Sequence, residues 1–215
     1  PTTSGTIYMG IKSTSTTFVP WYLSFDDFTF EQTTACPDAT TTISYGPALC
    51  TNGTPVAPII TGTTGGTFSS TAGLSINTAT GVITPATSTP GNYVITYSMT
   101  GAGACPNLTK TFIVTINASP IAPTAAGASV TAICGQSGTT DLSVTGGTLG
   151  TGGVYKWYLG SCGGTSFATG TSVPNVFLNQ TTTYYVRIES VCGNTTCASV
   201  TVNVNPTPVV RLTAA

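Results

Sequence analysis

Histidine is absent from this 215-residue chain, and charged residues make up only 5% of it, compared with about 25% in ordinary soluble domains. Five Lys and Arg residues cannot neutralise many phosphates, so the composition argues against a nucleic-acid partner and against attraction to anionic lipid. The chain also lacks a run of about eighteen apolar residues, and we therefore expect no helical membrane insertion. Thr, Ser, Gly and Asn supply a polar but nearly neutral surface instead.

The absence of histidine also removes the usual general base of nucleophilic catalysis. A Ser or Cys nucleophile would need a lysine or an N-terminal amine in its place, and Lys12, Lys110 and Lys156 all lie in strand-like or turn-like settings. We predict that the chain is not an enzyme and has no catalytic residues and no cofactor. Zinc is disfavoured because the seven cysteines occur without His and without paired Cys-x-x-Cys motifs.

The alternation of apolar and polar residues predicts short strands rather than helices. Gly, Pro, Asn and Thr interrupt this pattern about every 8 to 12 residues, as in β-sandwiches. Two strand pairs are clear, 93–99 with 112–116 and 184–189 with 200–205, and a Pro-containing linker follows each pair. We therefore predict an all-β fold of tandem Ig-like β-sandwich modules, preceded by the last strands of a further sandwich.

These signals divide the chain into four segments. Residues 1–40 are expected to hold the C-terminal strands of a truncated, jelly-roll-like domain and a linker, and residues 41–118 an Ig-like or cadherin-like module. Residues 119–205 are expected to form a second Ig-like module, and residues 206–215 a linker with the first strand of a following module. Both ends look cut, which indicates an excerpt from a longer array.

Trp157 in the segment VYKWYLG lies where an Ig-like strand carries its core tryptophan. Alternation places Tyr155, Trp157 and Leu159 inside and Lys156 and Tyr158 outside, where Lys156 can pair with a glutamate of the neighbouring strand. A sugar-stacking role of Trp157 is the weaker alternative.

Tyr93 and Tyr184 begin the inward-facing series of the two strong strands. We predict that both side chains belong to the cores of their modules.

Scattered cysteines in a Thr-rich β sequence are typical of disulfides formed in an oxidising compartment. In the first module Cys50 and Cys105 are the available pair. Cys36 is the odd cysteine, unpaired or bonded outside this segment.

The second module contains four cysteines, and their pairing stays open. Cys105 and Cys197 each lie twelve residues after a tyrosine, and this matched spacing favours Cys134 with Cys197 and Cys162 with Cys192. Standard Ig topology argues the other way, because it places Cys134 and Cys162 near one end of the sandwich.

The segment GTTGGTFSSTAGLSINTATGVITPATSTPGNYVITYSM resembles repeats of giant surface and adhesin-like proteins of the Bacteroidota. The run from ICGQSGTTDLSV to TTTYYVRIESVCGNTTCASVTVNV is similar to Ig-like modules of the same proteins, and WYLSFDDFTFEQ to the final strand of their jelly-roll, lectin-like domains. The resemblance implies export to the cell surface and a stalk or adhesin role.

Three functions follow as hypotheses. The first is a structural stalk or spacer in contact with neighbouring modules. The second is a filament subunit whose incomplete sandwich or terminal strand is completed by another protomer. The third is a carbohydrate-binding module for surface glycans or a host or prey cell surface, with Trp21 at the sugar site. Asp26 and Asp27 are the candidates for a structural calcium site, although calcium needs six to eight oxygen ligands.

Overall fold

A computed structural model describes residues 36–102, 105–205 and 207. These residues belong to one compact unit that contains two β-sandwiches in sequence. The predictions for the truncated first domain and for the strand of a following module lie outside the described residues. The same holds for Trp21, Asp26 and Asp27.

The first sandwich, module 1, contains six strands. They are β1 (Thr42–Ser44), β2 (Leu49–Cys50), β3 (Ile59–Thr61), β4 (Thr67–Ser70), β5 (Gly91–Met99) and β6 (Leu108–Asn117). One sheet has the order β2-β6-β5-β4, and β1 pairs with β3 in the other. Strand β2 runs parallel to β6, while the remaining strand pairs of the module are antiparallel.

Strict alternation in β5 builds the core of module 1. Tyr93, Ile95 and Tyr97 are buried, whereas Val94 between them is exposed. The Tyr93 hydroxyl donates a hydrogen bond of 2.6 Å to the carbonyl oxygen of Thr89, four residues upstream. This is the arrangement of the tyrosine corner that fixes the strand entry in Ig-like sandwiches.

The second sandwich, module 2, contains nine strands. They are β7 (Ala125–Ala128), β8 (Ala132–Cys134), β9 (Gly138–Thr145), β10 (Val154–Leu159), β11 (Ser166–Thr169), β12 (Ser172–Leu178), β13 (Thr182–Ser190), β14 (Gly193–Asn194) and β15 (Ala198–Asn205). The sheets have the orders β12-β9-β7 and β11-β10-β13-β15-β8, and β14 pairs with β13. Only β8 and β15, among these described pairs, are parallel.

Trp157 is fully buried at the centre of module 2 and donates a hydrogen bond of 3.0 Å from Nε1 to the carbonyl oxygen of Gly170. Tyr184, Val186 and Ile188 of β13 are buried beside it. The all-β class and both predicted strand pairs, β5 with β6 and β13 with β15, are confirmed.

The end of β10 departs from the predicted alternation. Tyr158 is only 2% exposed, and Leu159 is 46% exposed. The pairing of β10 with β11 shifts between Trp157 and Tyr158, and such an irregularity changes which residues are covered. The Arg187 guanidinium also lies over the Tyr158 ring, 5.2 Å from its centroid, and shields it from solvent.

The predicted disulfide pairs are wrong. The structure joins Cys36 to Cys105, Cys50 to Cys192 and Cys162 to Cys197, with Cα–Cα distances of 5.2, 5.7 and 6.0 Å. Cys134, predicted to be bonded, is free and exposed. Cys36, predicted to be unpaired or bonded elsewhere, has its partner within the chain.

Strand length explains the failure of the pairing inside module 1. Cys50 lies opposite Asn117 at the end of β6, whereas Cys105 lies in the loop before that strand begins at Leu108. The strand has ten residues, so its ends are about 30 Å apart. A disulfide needs Cα atoms within about 7 Å, and Cys50 therefore cannot reach Cys105.

The same geometry excludes the predicted pairs in module 2. Cys134 lies opposite Asn205 at the end of β15, while Cys197 directly precedes that eight-residue strand. Cys162 follows β10 at the end that pairs with Tyr184, whereas Cys192 follows the opposite end of β13. Each predicted pair is separated by most of a strand, about 20 Å.

Candidate functional site

A disulfide and several hydrogen bonds connect the two modules at their boundary. We call it the joint and define it by Cys50, Thr51 and Asn52 of module 1, the linker Ala118–Ser119–Pro120, and Gly150, Thr151 and Cys192 of module 2.

Module 1 holds the linker through a reciprocal pair of hydrogen bonds. The Ser119 N–H donates to Thr51 Oγ1 at 2.9 Å, and the Asn52 N–H donates to Ser119 Oγ at 3.0 Å. A third bond, from the Thr51 N–H to the carbonyl oxygen of Asn117, is 3.0 Å long. The turn after β2 is thereby fixed to the start of the linker.

Module 2 holds the same linker from the other side. The Ala118 N–H donates to Thr151 Oγ1 and the Thr151 N–H donates to the Ala118 carbonyl oxygen, both at 2.9 Å. Gly150 makes this approach possible: a Cβ atom there would lie 2.7 Å from the Ala118 oxygen, and its φ of +69° favours glycine. The linker is therefore bound on both sides, and Pro120 further restricts its backbone.

The Cys50–Cys192 disulfide crosses the joint. Cys50 is placed by the pairing of β2 with the end of β6, opposite Asn117. Cys192 is placed by the turn between β13 and β14, where its N–H donates to Ser190 Oγ at 3.1 Å. The two cysteines are 142 residues apart in sequence, and the bond closes a ring that contains most of both modules.

A second cluster lies on the outer face of β10 and β13, away from the core. Lys156 is directly opposite Arg187, an unfavourable pair of like charges. Glu189 lies diagonal to Lys156 and binds both cations, with a Lys156 Nζ–Oε2 distance of 2.6 Å and an Arg187 Nε–Oε1 distance of 3.0 Å. The predicted pairing of Lys156 with Glu189 is confirmed.

Hydrogen bonds set the ionisation of this cluster. Donation from Lys156, Tyr158 and Arg187 lowers the pKa of Glu189 to about 2. Burial raises the pKa of Tyr158, and the hydrogen bond to Glu189 raises the pKa of Lys156. Three donors thus occupy one ionised carboxylate, an arrangement that ties β10 to β13 and leaves Glu189 unsuited to proton transfer near neutral pH.

The turn that carries Cys162 covers the charged cluster. A Cβ atom at Gly163 would lie 2.6 Å from Arg187 Nη1, so the backbone of the turn rests on the guanidinium. The Cys162–Cys197 disulfide anchors this turn to the segment before β15. This bond therefore stabilises module 2 internally, unlike the bond across the joint.

The predicted core residues are buried: Tyr93, Trp157 and Tyr184 are 6%, 0% and 2% exposed. Over the described ranges, no three His, Cys, Asp or Glu side chains are grouped closely enough to hold a metal ion. The same part of the chain contains no helix that is long and apolar enough to cross a membrane.

Sequence reasoning missed the joint residues Thr51 and Thr151, because threonine is too abundant in this chain for two of them to be conspicuous. One signal was available. The cysteines are unevenly distributed: Cys36 precedes module 1, two cysteines lie in module 1 and four lie in module 2. That pattern is also compatible with bonds between modules.

Residues 120–206 match the family model described as the CHU_C-associated Ig-like domain. No curated protein sequence matches the chain. Among solved structures, the chain is similar to extracellular domains 3–5 of Drosophila OTK, with 12% identity, a TM-score of 0.48 and coverage of 77% of this chain and 62% of that one.

Two further solved structures are similar to this chain. The I67–I69 fragment of titin has 10% identity and a TM-score of 0.41, with coverage of 80% and 66% of the two chains. The insect immune protein hemolin has 15% identity and a TM-score of 0.41, with coverage of 81% and 49%. This chain spans less than two thirds of the length of each of the three. The described residues form two tandem Ig-like modules, and residues 120–206 match the CHU_C-associated Ig-like domain family.

Proposed function

We propose that this chain is a structural spacer segment of a secreted, cell-surface adhesin-like protein of the Bacteroidota, without catalytic activity. The observation that carries the proposal is the Cys50–Cys192 disulfide, which joins the two modules covalently at their boundary. The match to an Ig-like domain family and the sequence resemblance support the cell-surface assignment.

The disulfides suit a segment that carries tension. A pulling force that enters at Cys36 and leaves at Asn205 acts along the shortest covalent path. That path runs from Cys36 to Cys50, crosses to Cys192 and continues along β15. Residues 51–191, with most of both cores, lie off this path, so they cannot be drawn out while the bond is intact.

The other two disulfides lie off the shortest path. Cys36–Cys105 bridges the segment before β1 to the loop before β6, and Cys162–Cys197 closes a loop within module 2. Their expected effect is on the stability of each module, because cross-links restrict the unfolded chain. The three bonds are also typical of proteins that fold in an oxidising compartment.

The low charge fits a role beside neighbouring modules. The described charged side chains are Asp38, Lys110, Asp141, Lys156, Arg187 and Glu189. Three of them, Lys156, Arg187 and Glu189, lie together in the charged cluster of module 2, where one carboxylate offsets one of the two cations. Little long-range repulsion is left to oppose close packing of modules or of parallel stalks.

Single-molecule pulling from the two termini tests the proposal. The oxidised chain should withhold residues 51–191, which lie between two bonded cysteines that are 142 residues apart in sequence. Full reduction should therefore add about 470–510 Å of extension to the oxidised length. An oxidised chain that releases the full length would contradict the tension-bearing role.

Matched variants identify the bond responsible. Cys36→Ser with Cys105→Ser, and Cys162→Ser with Cys197→Ser, each remove one disulfide that lies off the shortest path. Both oxidised variants should keep the short extension, whereas Cys50→Ser with Cys192→Ser should lengthen it.

A further inference from the structure

Cys134 occupies in module 2 the place that Cys50 occupies in module 1. Each ends a short strand that pairs in parallel with the last strand of its module, β2 with β6 and β8 with β15. Cys50 is opposite Asn117, and Cys134 is opposite Asn205. The following backbone N–H, of Thr51 or Gly135, donates to the carbonyl oxygen of that asparagine at 3.0 Å in both modules.

The two equivalent cysteines differ in their bonding. Cys50 is half-buried by its disulfide to the next module, whereas Cys134 is exposed and free. With six of the seven cysteines paired within the chain, Cys134 lacks an internal partner.

Each module receives one disulfide from a cysteine that precedes it in the sequence. The cysteine that accepts this disulfide occupies an equivalent position in the two modules. In module 1, Cys36 bonds to Cys105. Cys105 lies in the loop between β5 and β6, which are the last two strands of the module and pair with each other. In module 2, Cys50 bonds to Cys192, which follows β13 and precedes β15. The receiving cysteine therefore lies after the penultimate long strand in both modules.

We propose that Cys134 forms a disulfide with the receiving cysteine of a further Ig-like module attached after Asn205, so that the bond at the joint repeats along the array. This inference extends the proposed spacer function and rests on it. The two thiols lose two protons and two electrons, and an oxidised dithiol oxidoreductase of the exporting compartment accepts them and is itself reduced.

The surface around Cys134 has room for the turn of such a module. A groove of about 670 Å³ lies at this end of module 2, lined by residues that include Gln136, Phe177, Gln180 and Val204. Phe177 is 65% exposed there. An Ig-like module seated on this end would cover the phenylalanine and bring its own turn to Cys134.

A fused chain tests the inference. Residues 118–205 are appended a second time directly after Asn205, so that the added module follows an asparagine as module 2 follows Asn117. The added copy carries Cys134→Ala, so that the fusion contains a single Cys134. The protein is refolded with a mixture of reduced and oxidised glutathione, alkylated with iodoacetamide and mapped without reduction. Alkylation of Cys134 should be lost, and Cys134 should be linked to the added copy of Cys192.

The control fusion carries alanine at the added copy of Cys192, and its Cys134 should be alkylated again. The added copy of the Cys162–Cys197 bond reports whether the new module has folded. A free Cys134, or a Cys134–Cys134 dimer, beside an intact Cys50–Cys192 bond overturns this inference alone. Absence of the Cys50–Cys192 bond overturns the spacer proposal as well.

Discussion

Thr151 binds Ala118 at two points: its N–H donates to the Ala118 carbonyl oxygen, and its Oγ1 accepts the Ala118 N–H, both at 2.9 Å. One residue of module 2 thus satisfies both backbone groups of a linker residue. Together with the bonds from Thr51 and Asn52, this contact makes the linker part of the folded structure rather than a flexible connection.

Thr151→Val should loosen the joint without unfolding either module. The substitution preserves the shape of the side chain but removes the acceptor of the Ala118 N–H, at a cost of about 1 kcal/mol. Hydrogen exchange at Ala118 should become faster by about fivefold, since exchange follows the local opening free energy. Thr148→Val, at an exposed threonine nearby, is the control and should leave that exchange rate unchanged.

Glu189→Gln should make the stability of the folded chain depend less on pH under acidic conditions. The folded pKa of Glu189 is lowered to about 2, below the value of about 4.3 in an unfolded chain. Its contribution to stability is therefore present above about pH 4.3 and is lost as the pH falls through about 2. Thermal unfolding between pH 7 and pH 2 should show a smaller loss of Tm in the variant than in the unsubstituted chain. An equal loss of Tm in the two proteins would contradict a stabilising role of the charged cluster.

Tyr93→Phe should destabilise module 1 by about 0.5–1.5 kcal/mol, because it removes the hydrogen bond to the Thr89 carbonyl oxygen and keeps the buried ring. Denaturant unfolding measures the difference. Tyr185→Phe removes a hydroxyl on the outer face of β13 and should have little effect. Equal losses in the two variants would show that the corner does not stabilise the module.

The sequence predicted the long strands because their inward and outward residues differ in chemistry. In β5, Tyr93, Ile95 and Tyr97 are buried and Val94 is exposed, as alternation requires. Alternation gave the wrong burial for Tyr158 and Leu159. The reason is that β10 pairs irregularly with β11 at this point and that the Arg187 guanidinium covers the Tyr158 ring, and both contacts involve residues distant in sequence.

The cysteine pairing could not be predicted from spacing because spacing does not show at which end of a sandwich a residue lies. Cys50 and Cys105 are in one module, but the length of β6 separates them. The bond from Cys50 instead depends on how module 2 is placed against module 1. Trp21, Asp26 and Asp27 lie outside the described residues, so the calcium and sugar hypotheses stay predictions.

Disulfide mapping of the unreduced protein tests the central claim most directly. After alkylation of free thiols, proteolysis and mass spectrometry should find a Cys50–Cys192 peptide that spans the two modules, beside Cys36–Cys105 and Cys162–Cys197. In this chain, Cys134 should be the alkylated residue. Cys50 linked to Cys105 would show that the bonds stay within each module, and it would contradict a spacer locked at its joint.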